Sequence, residues 1–281
     1  MGRKTSGSGE RTARQGLRYQ DRASAALAYR AILDNSLSFV ALADDRAGMF
    51  DDLVLGIAGQ VIGHQYKSST KPKAIGIRRL LLGTDKAISD CAKSFKSLVN
   101  AYPGKHVTLR YVTAHFASVG DKGQFGVKDR DSKDFFRTKD QHPDWTLADW
   151  RASIWQPIID ELVDASGICE DDFERFFHRF TIEFGAPPTI DLNFNLDPAA
   201  RDQVIELARA IGDLVGRDDG KTSWTRQELL DELGCSPESP RVSPRSPSPT
   251  RWRGSHGQSW RAAASSNAGM RQCWRQHRSR A

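Results

Sequence analysis

Apolar positions along the chain change their period several times, and each change marks a candidate element. From residue 16 to about 33 they recur at helical spacing (Leu17, Ala25, Leu27, Ala28, Ile32), which predicts a first helix. Three strand-like runs follow at 37–42, 53–57 and 60–67, and Gly59 between the last two marks a tight hairpin. The segment 68–83 is basic and then apolar, the pattern of a flap or docking loop. Residues 85–102 read as a helix ended by Pro103 and Gly104, and 107–113 alternate as a strand. A polar loop spans about 118–143, after which the pattern is mostly helical. Thr146 and Asp149 form a capping box for a helix running to 162. A shorter helix at 171–178 and a strand at 180–184 follow. Asp197 and Pro198 open a helix through 214, and Thr225 with Glu228 caps a last short one. Trp145, Trp150 and Trp155 have near-helical spacing and read as core. The order predicts an α/β fold over 16–185, a mixed central sheet flanked by helices, followed by a helical extension over 186–234.

Residues 1–15 look flexible, and the chain beyond 234 changes character altogether. Its 47 residues hold ten Ser, nine Arg, five Pro and three Trp, with no Ile, Leu, Phe or Tyr. Such a composition cannot bury enough apolar surface to order itself, so a disordered basic tail is expected over 235–281. Two readings of it stand: an arm that contacts nucleic acid, and translation of a GC-rich gene in the wrong frame. The abrupt loss of pattern favours the second. The tail also carries the charge. Nine Arg against one Glu give it +8, so a net charge of +6 leaves residues 1–234 at −2, and global charge does not argue for nucleic-acid binding by the body. Cys91, Cys169, Cys235 and Cys273 lie far apart with no CxxC pair, so neither a disulfide scaffold nor a zinc site is expected. No apolar run approaches the roughly 18 residues of a membrane helix. The polar start MGRKTSGSGE is unlike a signal peptide, and a cytoplasmic protein is expected. The same start matches the loose myristoylation pattern through Gly2 and Ser6.

One set of segments carries chemistry: GLRYQ (16–20), MFDDLVLG (49–56) and GQVIGHQYKSS (59–69). Phosphodiester hydrolysis needs a hard divalent cation, oxygen ligands, a positioned water and a cationic group near the developing charge. Asp52 stands just before a strand, with Asp51 beside it, so a carboxylate can project from the sheet rim. Gln65 and Lys67 are two apart on the next strand and share a face. The hairpin therefore sets an acid, an amide oxygen and an ammonium side by side. Gln65 offers its side-chain carbonyl and Tyr66 its main-chain carbonyl to a metal. Lys67 is placed to orient or deprotonate the attacking water, or to stabilise the phosphorane-like charge. Gln20 on the first helix is in position to hydrogen-bond a metal-bound water. A DD pair before a strand is usually a solvated turn, and a QxK usually an exposed face. The ordered conjunction is what points to a site. Lys71, Lys73, Arg78 and Arg79 are candidate phosphate contacts, with an ordinary solvated loop as the alternative. The stretch GRDDGKT (216–222) has three residues between its glycines where a phosphate-binding loop has four, and reads as a polar linker.

This ordered pattern resembles the PD-(D/E)XK nucleases in their D…QxK form. It is especially similar to Mrr-type restriction enzymes, which carry G-x-x-F/Y-E, D and Q-x-K in this order; Gln20 stands where those enzymes often have Glu. A closer resemblance is to the DNA endonuclease domain of the CD-NTase-associated nuclease family of bacterial antiphage defence. Its G-x-x-Y-Q helix, DD strand and Q-x-K-S strand are similar to 16–20, 51–53 and 65–68 here, and LRYVTAHF (109–116) resembles its core strand. The resemblance covers about 16–185 and implies a restriction-endonuclease-like fold that cleaves double-stranded DNA with Mg²⁺ or Mn²⁺. It implies Asp52, Gln65, Lys67 and Gln20 as catalytic positions, and Asp52, Asp51, Gln65 and Tyr66 as metal ligands. Gating by a sensor domain or a signal nucleotide is implied too. Two departures stand out. The strand before the DD pair reads FVALADD, without the Glu the family often places there, so either Asp44 or Asp45 serves or the carboxylate is absent. The family also continues into a sensor or NTPase domain, which this chain does not. These departures supply the alternative, a catalytically decayed nuclease-fold module kept for DNA or protein binding in a truncated protein.

Overall fold

Both faces of the run 53–57 are apolar, so the sheet that holds it needs a helical cover on each side. The computed structural model describes residues 7–69, 71–83, 87–123, 127–185, 198–215 and 221–232. It runs α1 (Gly7–Leu33), β1 (Leu37–Ala41), a 3-10 segment (Asp45–Phe50), β2 (Leu53–Ile57) and β3 (Gln60–Lys67). Then come β4 (Ala74–Ile75), α2 (Ile77–Leu81), α3 (Ala87–Ala101), β5 (His106–Thr113) and β6 (Phe116–Ala117). The rest is α4 (Ser132–Gln141), α5 (Leu147–Ala152), α6 (Gln156–Ser166), α7 (Glu170–Arg179), β7 (Phe180–Glu183), α8 (Pro198–Val215), β8 (Ser223–Thr225) and α9 (Arg226–Glu232).

Six strands form one mixed sheet in the order β7-β5-β3-β2-β1-β8. β5 is parallel to both β3 and β7, while β2, β1 and β8 pair antiparallel. Parallel neighbours need a crossover, which α2 and α3 supply between β3 and β5, and α4 to α7 between β5 and β7. Ala58 and Gly59 join β2 to β3 with positive φ at both (47° and 84°), the turn whose twist matches that of its strands.

Alternation along β2 splits the core in two. Val54 faces an aromatic layer with Phe50, Phe95, Phe135, Phe173 and Phe176, built from α2 to α7. Leu53 and Leu55 face a second layer with Ala25, Ala28, Leu207, Ile211 and Trp224, built from α1, α8, β8 and α9. Burying each large apolar side chain stabilises the fold by about 1.5–3 kcal/mol. The alanines let α1 lie close against the sheet.

Several expected boundaries move. α1 starts at Gly7 rather than 16, so the flexible segment expected over 1–15 is helical from Gly7; residues 1–6 lie outside the described ones. The polar loop contains α4, capped by Asp131, whose side chain accepts from Asp134 N. The helix expected from Thr146 to 162 is two: Thr146 and Asp149 do form the capping box of α5, but the chain breaks at Ser153 and restarts in α6 with Pro157 in its first turn. The expected flap at 68–83 contains β4, paired parallel to β6, and α2. The expected helical extension is part of the same body. β8 pairs with β1, and Leu207, Ile211 and Leu214 of α8 share a core with α1. The segments 186–197 and 216–220, with the Asp197 cap and most of the polar linker, lie outside the described residues, as does the basic tail over 235–281. The chain divides into the units Met1–Pro240 and Arg241–Ala281, and everything described belongs to the first. No described helix is long and apolar enough to cross a membrane.

Candidate active site

The carboxyl ends of β3 and β5 meet the start of β2 at one rim of the sheet, the place where open α/β sheets bind ligands. Asp52 sits there, half-buried, and its carboxylate is met from three directions. Gln20 Nε2, from α1, donates to Oδ1 at 2.9 Å. The main-chain N–H of Tyr66 donates to Oδ2 at 2.6 Å, and Gln65 Nε2 makes a shorter contact to the same oxygen.

Each group is held there for a local reason. Tyr19 is buried and packs edge-on against Tyr66 (6.0 Å between rings), which pins α1 so that the next residue, Gln20, reaches the rim. On the other face Gly63 lets α3 close on β3: a Cβ there would lie 3.0 to 3.2 Å from Leu98, Leu109 and Phe50. Two residues on, Gln65 is only 4 % exposed, while Lys67 at the strand end is exposed and shares its face.

Burial pushes the Asp52 carboxyl above the usual carboxylate range, and the charge of Asp51 pushes the same way. The Tyr66 N–H, the Lys67 ammonium and the Gln65 amide pull it down without offsetting the burial. Lys67 itself has no hydrogen-bonded or ion-paired partner for its ammonium among the described residues. Tyr111, opposite Gln65 on β5, is pushed up to about 12 by burial, with Cys91 and Asp52 adding to it, and so keeps its proton. His64 lies behind the rim, stacked on Tyr66 at 5.9 Å; burial, aided by Arg110, lowers it to about 3 and keeps it neutral.

The structure thus brings Gln20, Asp52, Gln65 and Tyr66 into contact, with the charges of Asp51 and Lys67 close enough to act on Asp52. The contacts differ from the expected ones in kind. Gln65 turns its amide nitrogen, not its oxygen, to Asp52, and Tyr66 contributes its N–H. The Asp44 carboxylate is committed elsewhere, forked onto Arg46 (2.7 and 2.8 Å), and Asp45 is exposed. Arg78 is bound to Glu161 of α6 and is not free for a phosphate, because the turn of α2 aims it at that helix. Lys71, Lys73 and Arg79 are exposed and lack an ion-pair partner among the described residues. Sequence reasoning missed Tyr111, since the register of a parallel pair leaves no mark in local sequence.

Among the described residues no three His, Cys, Asp or Glu side chains gather in a metal-binding group. The donor chemistry at Asp52 nevertheless fits a hard cation. A carboxylate disfavoured by burial and faced by neutral groups gains from a positive charge. A half-turn of the Gln65 amide exchanges nitrogen for oxygen at almost constant shape. The Tyr66 carbonyl lies on the same side of the strand as its N–H. Three oxygens suit an ion that keeps several waters, as Mg²⁺ does. No protein-family model matches the chain, and no curated protein matches it.

Proposed function

We propose that this chain is a metal-dependent endonuclease of restriction-endonuclease fold that cleaves double-stranded DNA, acting as a cytoplasmic effector of bacterial antiphage defence and gated by a sensor domain or signal nucleotide. The observation that carries the hydrolytic reading is the Asp52 carboxylate, clamped between Gln20 and Gln65 at the carboxyl ends of parallel strands with Lys67 beside it. Asp52, Gln65 and the Tyr66 carbonyl would hold Mg²⁺ or Mn²⁺, with Asp51 adding negative charge. Such an ion, when bound, neutralises phosphate charge and makes a nucleophile available at neutral pH. Gln20 fixes Oδ1 of Asp52, so the carboxylate is oriented before substrate arrives. Lys67 projects from the strand end and stabilises the charge that grows on the phosphoryl oxygens.

The test is supercoiled plasmid incubated with the protein, with and without Mg²⁺ or Mn²⁺. Nicking and linearisation are expected only with metal, and neither in Asp52→Asn or Lys67→Ala. One observation favours the second reading, a decayed module that binds DNA or protein without cutting it: both oxygens of Asp52 already accept N–H donors. Wild-type protein that binds DNA and cuts none of it with either metal would establish that reading.

A further inference from the structure

Beside the Asp52 rim stands a feature that hydrolysis there does not use. After Thr113 the chain passes through His115 into β6, which pairs with β4 as a two-stranded ribbon. The ribbon is tied down: Phe116 N donates to Lys73 O (3.2 Å), Lys73 N to His115 Nδ1 (3.2 Å), and Gly185 N to His115 O (2.7 Å). Lys67 and Thr113 are register partners, so Phe116 begins three residues, about 10 Å of extended chain, past the end of the catalytic strand. Phe116 is 49 % exposed, and Val119 nearby in the chain is 57 % exposed.

The surroundings of the ring are basic. Lys71, Lys73 and Arg79 are exposed with no ion-pair partner among the described residues, and the sequence has no Asp or Glu from 53 to 84. Burial, then the charges of Lys73 and Arg79, hold the His115 imidazole down, and its Nδ1 accepts from the Lys73 main-chain N–H. Asp121, the first acid after Phe116, is buried and bound to the hydroxyl and N–H of Ser132. An exposed aromatic side chain on a tied-down ribbon, with unpaired cations close along the chain, matches a polyanion that carries flat apolar rings of its own.

We propose that the β4–β6 ribbon is a single-strand site: Phe116 stacks an unpaired base while Lys71, Lys73 and Arg79 hold the flanking phosphates. The preferred substrate is then duplex DNA with unpaired bases beside the cut, rather than uniformly paired duplex. The position of the cut rests on the nuclease reading of Asp52; the binding does not.

The experiment measures binding by the full chain in EDTA, so that no cleavage intervenes. The probes are a short duplex, the same duplex with a 2-aminopurine bulge, and the single strand. Wild-type protein is expected to favour bulged and single-stranded DNA and to quench the 2-aminopurine. Phe116→Ala and Phe116→Leu should each weaken those two complexes roughly tenfold, abolish the quenching and leave duplex binding unchanged. The Leu variant keeps the apolar surface and removes only the π face. If it binds like wild type, if duplex binding falls equally, or if the wild type shows no preference, the ribbon is not a stacking site. Metal-dependent plasmid cleavage by the wild type, with bulged and single-stranded DNA bound equally well by the Phe116 variants, would overturn this proposal and leave the nuclease reading standing. Phe116-dependent binding without cleavage would do the reverse.

Discussion

The 3-10 segment Asp45–Phe50 is bracketed by two acids that the fold treats in opposite ways. Asp44, 2 % exposed, is matched by a full positive charge: Arg46 forks onto it, and the Arg46 N–H caps the segment through it at 3.0 Å. Arg46 in turn reaches Tyr102, and its carbonyl accepts from Ser97. Asp52, eight positions on, is met by two amides and a main-chain N–H, all neutral, and burial leaves it above the carboxylate range. Charge answered by charge makes a structural corner. Charge answered by dipoles leaves a place for a cation.

The largest expected effect breaks this contrast by removing the charged groups in turn. Asp52→Asn should reduce metal-dependent cleavage by at least about 10²–10³, and Lys67→Ala by a similar factor, since each removes a group that acts on the reacting phosphate. Asp44→Ala should leave cleavage intact and instead cost about 0.5–2 kcal/mol of stability through the lost cap. Plasmid assays and thermal melts on the same three variants read both effects. A cleavage loss in Asp44→Ala equal to that of Asp52→Asn would erase the distinction.

Metal and pH sharpen the contrast through stability. Mg²⁺ at about a hundred times its Kd should stabilise the wild type by about 2.7 kcal/mol and leave Asp52→Asn unmoved. Without metal the order reverses. The folded-state carboxyl of Asp52 titrates above its ordinary value of 3.8, so its ionised form is destabilising; the penalty is full above the folded pKa and is relieved as pH falls toward 3.8. Asn has no such penalty, and its amide can be satisfied by the same neighbours once Gln20 turns over. Asp52→Asn should therefore melt higher than wild type at neutral pH in EDTA, with the gap closing on acidification. A gap that widens toward low pH would show that the carboxylate is stabilised, not strained, by its site.

What the sequence reveals of this corner follows from how local each feature is. The hairpin of β2 and β3 was legible because its apolar runs and Gly59 lie within a few residues, and Gln65 and Lys67 share a face by strand geometry alone. The capping boxes at Thr146 and Thr225 were legible for the same reason. β8 was not: Ser223–Thr225 is a strand only because β1 offers it a free edge. α4 was hidden by its polar composition, its helical face reduced to Phe135 and Phe136, and the break before α6 by apolar spacing that runs through it. At the site, the residue types could be read and the donor directions could not. Whether an amide presents nitrogen or oxygen depends on the charge it meets, and that is settled by tertiary packing.

A smaller effect separates ligand from neighbour on the β3 side. Gln65→Glu places a second carboxylate against Asp52, in the form many metal sites take. Like charges at that distance disfavour double ionisation. The variant should melt lower than wild type in EDTA and gain more from Mg²⁺, so the two melting curves converge as metal is added. If the variant matches wild type in EDTA, Gln65 does not sit against Asp52 in solution.

The smallest expected effect belongs to Asp51. Its main-chain carbonyl accepts from Ala43 N at 2.8 Å, which fixes the chain, and its half-buried side chain acts on Asp52 as a like charge. Asp51 and Asp52 lie in the turn before β2, Asp51 with helical backbone angles (φ −79°, ψ −14°), and it is Asp52 that receives the donors of Gln20, Gln65 and Tyr66. Asp51→Asn should therefore weaken cleavage less than Asp52→Asn does, and raise the metal-free stability by a few tenths of a kcal/mol, the scale of an exposed charge pair. A charge that works through space is screened by salt, whereas a ligand is not. The difference between Asp51→Asn and wild type should fade as salt rises, while that of Asp52→Asn persists. If Asp51→Asn proves the more damaging at every salt concentration, the ligand is Asp51, and the rim is offset by one residue from the register that puts Asp52 against Gln65.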